Sequence, residues 1–120
     1  MRDTIKRHED FHTLDSDPVA RSAYFFVRAK LAKYPDDPRV GFMATKRTFK
    51  FATQRNRAKR LLRDWVRYCS DKMRDESDYI FFAREPILRA TREDGRHAMA
   101  VALNQISKTI KTPKNVKKTA

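Results

Sequence analysis

The chain has 120 residues, enough for one domain with a modest core, and 40% of them are hydrophobic, as is typical of a folded protein. Its 28 Lys and Arg against 15 Asp and Glu give a formal net charge of +13, which predicts a polyanionic partner. No apolar run approaches the roughly 20 residues of a membrane span. The N-terminus has no signal-peptide stretch, so we expect a cytoplasmic protein with no membrane partner.

The first 45 residues have patterns typical of a short helix followed by a β-hairpin. Residues 8–15 predict a helix that presents Phe11 and Leu14 to an apolar surface. Residues 16–21 predict a loop or a short edge strand. Alternation over 22–31 predicts a strand, and a turn rich in Pro and Asp connects it to a second, antiparallel strand over 39–45.

The two faces of the first predicted strand differ in chemistry. One is wholly apolar and consists of Ala23, Phe25, Val27, Ala29 and Leu31. The other is aromatic at one end and basic at the other, and consists of Tyr24, Phe26, Arg28 and Lys30. If helices cover only one side of the sheet, Tyr24 and Phe26 form an open stacking platform for single-stranded nucleic acid. The alternative is that both faces are buried and these aromatics belong to the core.

A basic run leads into a long amphipathic helix. Between Lys46 and Arg63 there are eight basic residues and no acidic ones. The helix is predicted from Thr53, a plausible N-cap, to Met73. Its apolar stripe consists of Ala58, Leu61, Leu62, Trp65, Val66, Cys69 and Met73, and its opposite stripe of Asn56, Arg60, Arg63, Arg67 and Arg74. A solvated face normally mixes both signs of charge, so this one indicates RNA or DNA rather than solubility alone.

The C-terminal half predicts one buried strand and one further helix. The strand covers 79–84 and stops before Pro86, the helix covers 93–110, and the basic tail, 111–120, is expected to be flexible. The chain is thus predicted to be a single α+β domain over 1–110. We expect a small two-layer sandwich in the order α-β-β(-β)-α-β-α, with one mixed sheet, helices mainly on one face and an open cleft on the other.

Catalytic chemistry is not visible in the chain. His8 and His12 are one helical turn apart, but the sequence places no third ligand beside them, so we predict no metal site. Cys69 lies on the apolar stripe and is expected to be a core residue. There is no glycine-rich phosphate loop and no recognisable pair of carboxylates, so we predict no catalytic residue.

The block RVGFMATKR…QRNRAKRLLRDWV resembles the protein subunit of bacterial ribonuclease P. The family has a strand that ends in a basic pair, here Lys46 and Arg47, and then an arginine-asparagine-arginine motif that opens a basic helix, here Arg55-Asn56-Arg57. The strand DYIFFARE and the element HEDF also match, and the resemblance covers about residues 5–110. The loop at 48–51 departs from the family, where it usually contains glycine.

The resemblance implies removal of the 5′ leader from precursor tRNA by a catalytic RNA that uses Mg²⁺. The implied partners are that RNA, with one protein per RNA, and precursor tRNA. The predicted RNA-binding residues are Lys46, Arg47, Arg55, Asn56, Arg57, Lys59, Arg60, Arg63 and Arg67. The predicted leader cleft, between the first helix and the open sheet face, is lined by Phe11, Tyr24, Phe26, Lys59 and Arg63, with Phe25 and Val27 as the alternative strand face. The rival function is a generic RNA-binding or ribosome-associated module with no role in cleavage.

Overall fold

A computed structural model describes residues 2–119 of the backbone and the side chains of residues 2–110. Within these residues, two α-helices and five strands follow one another. They are β1 (Asp3–Thr4), β2 (Val19–Arg21), β3 (Phe25–Leu31), β4 (Arg39–Met43), α1 (Ala52–Tyr68), β5 (Ser77–Ala83) and α2 (Arg92–Thr119). Three short 3-10 helices, His8–Phe11, Ser70–Lys72 and Glu85–Arg89, lie between them. Over the described residues no helix has the length and apolar content of a membrane span.

The strands form one mixed sheet in the order β1-β4-β5-β3-β2. The pairs β1–β4 and β4–β5 are parallel, whereas β3 is antiparallel to both β2 and β5. The predicted hairpin is therefore wrong, because β5 lies between β3 and β4. Asp78, at the start of β5, is fully buried and accepts hydrogen bonds from the amides of Lys33 (3.4 Å) and Arg39 (2.7 Å). One carboxylate thus binds both ends of the connection between β3 and β4, which the turn residues had predicted to be the turn of a hairpin.

Both helices pack on the same face of the sheet, as expected of a two-layer α+β fold. The predicted inward residues of β4 and its end, Val40, Phe42 and Ala44, are buried, as are Phe25 and Val27 of β3. They join one core with the apolar stripes of the helices, namely Ala58, Leu62, Trp65, Val66, Met99, Leu103 and Ile106. The prediction of an apolar face on β3 is wrong at its two ends, because Ala23 precedes the strand and Leu31 is 82% exposed.

Contact between the helices depends on one glycine. A Cβ atom added at Gly95 in α2 would lie 2.0 Å from two ring atoms of Trp65 in α1. The Trp65 ring is fully buried and also lies 6.0 Å from the ring of Tyr24 and 6.3 Å from that of Phe25, centroid to centroid. Gly95 therefore gives the tryptophan the space in which the two helices and the sheet meet.

The observed helix ends differ from the predicted ones for local reasons. The first helix is a single 3-10 turn that ends at Phe11, so Leu14 lies beyond it and is exposed rather than packed on an apolar surface. Helix α1 starts at Ala52 and ends at Tyr68. The Cys69 amide contacts the carbonyl oxygens of both Trp65 (3.1 Å) and Val66 (3.2 Å), which marks a tightening of the helix. The Cys69 side chain is buried as predicted, and burial raises the pKa of its thiol. The predicted flexible tail, 111–120, lies outside the described side chains.

Candidate nucleic-acid interface

The loop before α1 is anchored in the core by an aromatic side chain. Phe49 is buried, and the guanidinium of Arg55 donates to the carbonyl oxygens of Phe49 (2.9 Å) and Lys50 (3.3 Å). The hydroxyl of Thr45 accepts a hydrogen bond from the amide of Thr48 (3.2 Å). No described residue of this glycine-free loop has a positive φ. The loop thus replaces glycine with a buried anchor, and the first arginine of the motif holds it against the helix.

Beyond Arg55, the cations of the basic run point away from the core. Lys46, Arg47, Arg57, Arg60 and Arg67 are exposed, as is Asn56, whereas Lys59 and Arg63 are half-buried. Within the described part of the chain none of these cations forms an ion pair. The ion pairs of the described residues instead involve six other cations, namely Arg7, Lys33, Arg39, Arg74, Arg89 and Arg96. The stretch from Lys46 to Arg67 thus carries a continuous series of cations that form no ion pair with the described acids, an arrangement that attracts a polyanion.

One flank of the basic stripe touches the edge of the sheet. The guanidinium carbon of Arg63 lies 5.4 Å from the ring centroid of Phe42 in β4, within the range of a cation–π contact. Lys59 precedes Arg63 by one helical turn and is likewise half-buried. Arg63 therefore lies beside β4 with Lys59 one turn away on the same side of the helix, whereas Arg60 and Arg67 are exposed.

The sheet face opposite the helices carries a groove of about 660 Å³. It is lined by His8, Glu9, Phe11, His12, Thr13, Met43 and Phe82. Met43, Phe82 and Phe26 are neighbours in register across β4, β5 and β3, and the rings of Phe26 and Phe82 stack with centroids 4.5 Å apart. A half-buried aromatic pair beside an apolar groove offers a surface on which a nucleic-acid base can stack.

The predicted cleft residues do not all lie at this groove. Phe11 lines it, and Phe26 flanks it through Phe82. Tyr24 does not, because the chain bends before β3 starts and its ring packs on Trp65 on the helix side of the sheet. Lys59 and Arg63 are not among the lining residues. The alternative face is excluded as a cleft, since Phe25 and Val27 are fully buried.

Met43 and Phe82 were missed by the sequence reasoning. Phe82 lies in an apolar run, Tyr79 to Ala83, whose residues give no sign of which face each one occupies. The strand pairing decides it, because Phe82 is the register partner of both Phe26 and Met43. Met43 could have been found by period-2 counting, since it alternates with Phe42, which was predicted to point inward.

The N-terminal segment forms one wall of the groove and is tied to the sheet by lysine and arginine. Lys30 Nζ donates to the carbonyl oxygens of Asp10 (2.7 Å) and His12 (2.9 Å). Arg28 donates to the carbonyl oxygens of Leu14 (3.1 Å) and Asp17 (3.2 Å). Arg28 and Lys30, the basic end of the predicted outer face of β3, therefore bind backbone carbonyl groups of the protein itself and position residues 10–17.

A buried carboxylate completes this attachment. Asp10 pairs with Lys33 Nζ at 3.1 Å and with Arg39 Nη1 at 3.2 Å. The hydrogen bond from Lys33, together with that from Arg39, lowers the pKa of the Asp10 carboxyl below its ordinary value. Asp10 is adjacent to Phe11, whose ring packs so closely on β4 that a Cβ atom at Gly41 would lie 2.7 Å from it. The ion pairs thus fix the wall of the groove at the point where it contacts the sheet.

These features define a class of protein: a small α+β domain with unpaired cations on one helix and an aromatic groove on the open face of its sheet. Comparison with known proteins identifies the family. Residues 1–107 match the family model described as Ribonuclease P, and the chain belongs to that family.

Relatives and solved structures agree with this assignment. Ribonuclease P protein component from Brucella suis is 30% identical over 95 residues, which cover 72% of this chain and 67% of the relative. The protein of the same name from Desulforamulus reducens is 28% identical over 82 residues, covering 68% and 72%. The RNase P protein of Staphylococcus aureus superposes with a TM-score of 0.68 at 24% identity, covering 83% of this chain and 91% of that one. That of Thermotoga maritima gives 0.64 at 22% identity, covering 76% and 84%. The two structures establish the α+β fold with its mixed sheet.

Proposed function

We propose that this chain is the protein subunit of ribonuclease P in the cytoplasm, with one copy bound to each catalytic RNA. In this role it binds the catalytic RNA and the 5′ leader of precursor tRNA, and so promotes Mg²⁺-dependent removal of the leader. The family assignment supports this role, because the chain matches the Ribonuclease P family model and its relatives include ribonuclease P protein components. The observation that carries the proposal is the series of cations from Lys46 to Arg67 that form no ion pair within the described chain.

Catalytic RNA is proposed to contact the exposed stripe of α1 and the basic pair before it. Arg57, Arg60 and Arg67 reach solvent without a competing carboxylate in the described chain, so each is available to a phosphate. Asn56 offers an amide beside them. Arg55 supports the contact by holding the loop that carries Lys46 and Arg47.

The leader is proposed to lie in the groove on the other face of the sheet. A single strand binds through stacked bases and a nearby positive field. Phe11, Phe26 and Phe82 supply rings, Met43 supplies an adaptable apolar contact, and Lys59 and Arg63 supply charge from beside β4. Tyr24 has no part in this arrangement, since its ring packs on Trp65.

The protein's contribution to the reaction is electrostatic in this proposal. Leader and catalytic RNA are both polyanions, and cations placed between them offset their repulsion. No three His, Cys, Asp or Glu residues cluster to hold a metal ion among the described side chains, so we assign no protein ligand to Mg²⁺. When bound by the RNA, Mg²⁺ supplies the charge stabilisation and activated water that hydrolysis of a phosphodiester needs.

Cleavage of precursor tRNA at low Mg²⁺ tests the proposal. The substrate is incubated with the protein alone, with catalytic RNA alone, and with both. Cleavage that is fast only in the combined reaction is the expected result. Cleavage by the protein alone would refute the proposal. If the protein binds the catalytic RNA but does not accelerate cleavage, the generic RNA-binding module is favoured.

A matched pair of variants makes the test specific to the basic helix. Arg60→Ala removes an unpaired cation, and Arg89→Ala removes one that is ion-paired to Glu85 at 2.6 Å. Each phosphate contact contributes about 0.7–0.9 to the slope of log affinity against log salt. We expect Arg60→Ala to lower that slope by about this amount for the catalytic RNA and Arg89→Ala to leave it unchanged.

A further inference from the structure

One exposed aromatic residue on α1 lies outside both surfaces assigned above. Tyr68, the last residue of α1, is 62% exposed. It follows Asn56 by 12 positions, which places it about 18 Å along the helix from the arginine-asparagine-arginine motif. At 100° per residue Tyr68 lies about 100° around the helix from Arg67, so its ring is beside the end of the basic stripe and not on it.

The Tyr68 ring is held in place by a cation from the second helix. The guanidinium carbon of Arg96 in α2 lies 4.0 Å from the ring centroid, which is the closest cation–π contact among the described residues. Arg96 is in turn positioned by Asp64, at 3.7 Å. One face of the ring is covered by the guanidinium, and the high exposure of Tyr68 leaves its other surface open to solvent.

A groove of about 450 Å³ runs beside this stack at the junction of the two helices. It is lined by Tyr68, Arg92, Glu93, Arg96, His97 and Ala100. Arg92 is exposed and forms no ion pair within the described chain. The groove therefore combines an oriented ring, one unpaired guanidinium and one carboxylate that can accept a hydrogen bond from the amino group of a base.

We propose that this groove is a second RNA subsite, which binds one unpaired nucleotide with its base on Tyr68 and its phosphate on Arg92. The stack of base, tyrosine and Arg96 is the arrangement by which proteins hold bases that are splayed out of a helix. This inference rests on the proposed function, because it takes the partner to be RNA. The nucleotide can come from the catalytic RNA or from the leader of precursor tRNA, and the experiment separates the two.

Two variants at one position test the stacking contact. Tyr68→Ala removes the ring, Tyr68→Phe keeps it, and Tyr34→Ala is the matched control. Tyr34 is also half exposed and also contacts a guanidinium, that of Arg39 at 5.0 Å, but it lies in the connection between β3 and β4. Thermal unfolding of each variant checks that the fold is unchanged.

The first measurement is the affinity of each variant for the catalytic RNA and for a fluorescent single-stranded hexanucleotide. For the RNA that supplies the stacked nucleotide, we expect Tyr68→Ala to lose roughly 5- to 150-fold in affinity, and Tyr68→Phe and Tyr34→Ala to keep the wild-type affinity. The salt slope stays the same in Tyr68→Ala, because no charge is lost. Arg92→Ala lowers that slope by about 0.7.

The second measurement compares precursor tRNA with mature tRNA, each bound to the assembled complex. A loss confined to the catalytic RNA assigns the nucleotide to that RNA, and a loss confined to precursor tRNA assigns it to the leader. If Tyr68→Ala binds the hexanucleotide and both RNAs with the affinity of the wild type, the proposal of this subsite is refuted. A wild-type protein that binds the hexanucleotide through Tyr68 but never accelerates cleavage would instead reject the proposed function and leave the subsite standing.

Discussion

Arginine performs two different tasks on α1, and Arg55→Ala and Arg60→Ala separate them. Arg55 donates to the carbonyl oxygens of Phe49 at 2.9 Å and Lys50 at 3.3 Å, so its guanidinium joins the basic loop to the helix. Arg60 is exposed and unpaired within the described chain. We therefore expect the first substitution to change mainly stability and the second to change only RNA binding.

The size of each effect follows from the contacts. A hydrogen bond from a charged donor contributes about 1.5–3 kcal/mol at best, and the longer of the two bonds is exposed, so loss of Arg55 should cost about 1–2 kcal/mol. The entropy of unfolding is about 2.1 cal/mol/K per residue, so for this chain each kcal/mol shifts Tm by about 4 °C. Arg55→Ala is thus expected to lower Tm by about 4–8 °C, and Arg60→Ala by less than about 2 °C.

Thermal unfolding by circular dichroism and RNA affinity over a range of salt concentrations provide the two readouts. Arg60→Ala should lower the salt slope by about 0.7–0.9 while its Tm stays close to the wild-type value. Arg57→Ala, an exposed member of the same motif, is the control for the stability measurement. A Tm of Arg55→Ala that matches that of Arg57→Ala would refute the reasoning that Arg55 holds the loop.

Three further predictions follow from the packing and the charges. Gly95→Ala should destabilise the fold by about 1–3 kcal/mol, seen as a lower Tm, because the added Cβ would lie 2.0 Å from the tryptophan ring of α1; an unchanged Tm would contradict this. Phe82→Ala should weaken binding of precursor tRNA relative to mature tRNA by the assembled complex, because Phe82 lines the groove, whereas Tyr24→Ala should leave that ratio unchanged; equal effects would count against the groove as the leader site. The pKa of Asp10 lies below its ordinary value of 3.8, so the stability from its ion pairs is present above that pH and is lost as pH falls through the folded value. Asp10→Asn should therefore have a lower Tm at pH 7 and a smaller loss of Tm on acidification, and parallel Tm curves for the two proteins would disprove this role.

Local periodicity was sufficient to predict the two long helices and the core that they bury, but not the bounds of the helices or the 3-10 turn at His8–Phe11. The apolar stripe from Ala58 to Met73 is buried at Ala58, Leu62, Trp65, Val66, Cys69 and Met73, because a 3.6-residue period fixes which side chains share a face. The 3-10 turn that replaces the last part of the predicted helix does not disturb this, since Met73 is still buried. The fold class follows from these elements and their order.

Strand pairing could not be obtained from the same patterns. Pro and Asp residues between β3 and β4 indicate a reversal of the chain, but not which strand lies next to which. The insertion of β5 depends on contacts distant in sequence, such as Asp78 with the amides of Lys33 and Arg39. For the same reason the groove was predicted only in part: Phe82 becomes a groove residue through its register with Phe26.

The misplacement of Tyr24 has a different cause. Strict alternation puts Tyr24 and Phe26 on one face, but alternation holds only inside a strand, and β3 starts at Phe25. The hydroxyl of Ser22 accepts hydrogen bonds from the amides of Tyr24 and Phe25, both at 3.1 Å, and these bonds bend the chain before the strand. A serine-based turn of this kind competes with strand geometry and was not considered in the alternation count.

One short stretch of β4 connects the two proposed RNA surfaces. Phe42 points to the helix side, where Arg63 lies over its ring, and Met43 points to the groove on the opposite side. The edge strand β1 pairs with β4 only at Arg39 and Val40, so Gly41 to Met43, which pair with β5 on one side, have no strand partner on the other side within the described chain. An RNA strand that leaves the groove at Met43 and crosses this edge comes next to Phe42, over whose ring Arg63 of α1 lies. In the proposed function, leader and catalytic RNA therefore meet at this edge, where Arg63 is placed to offset the charge of both.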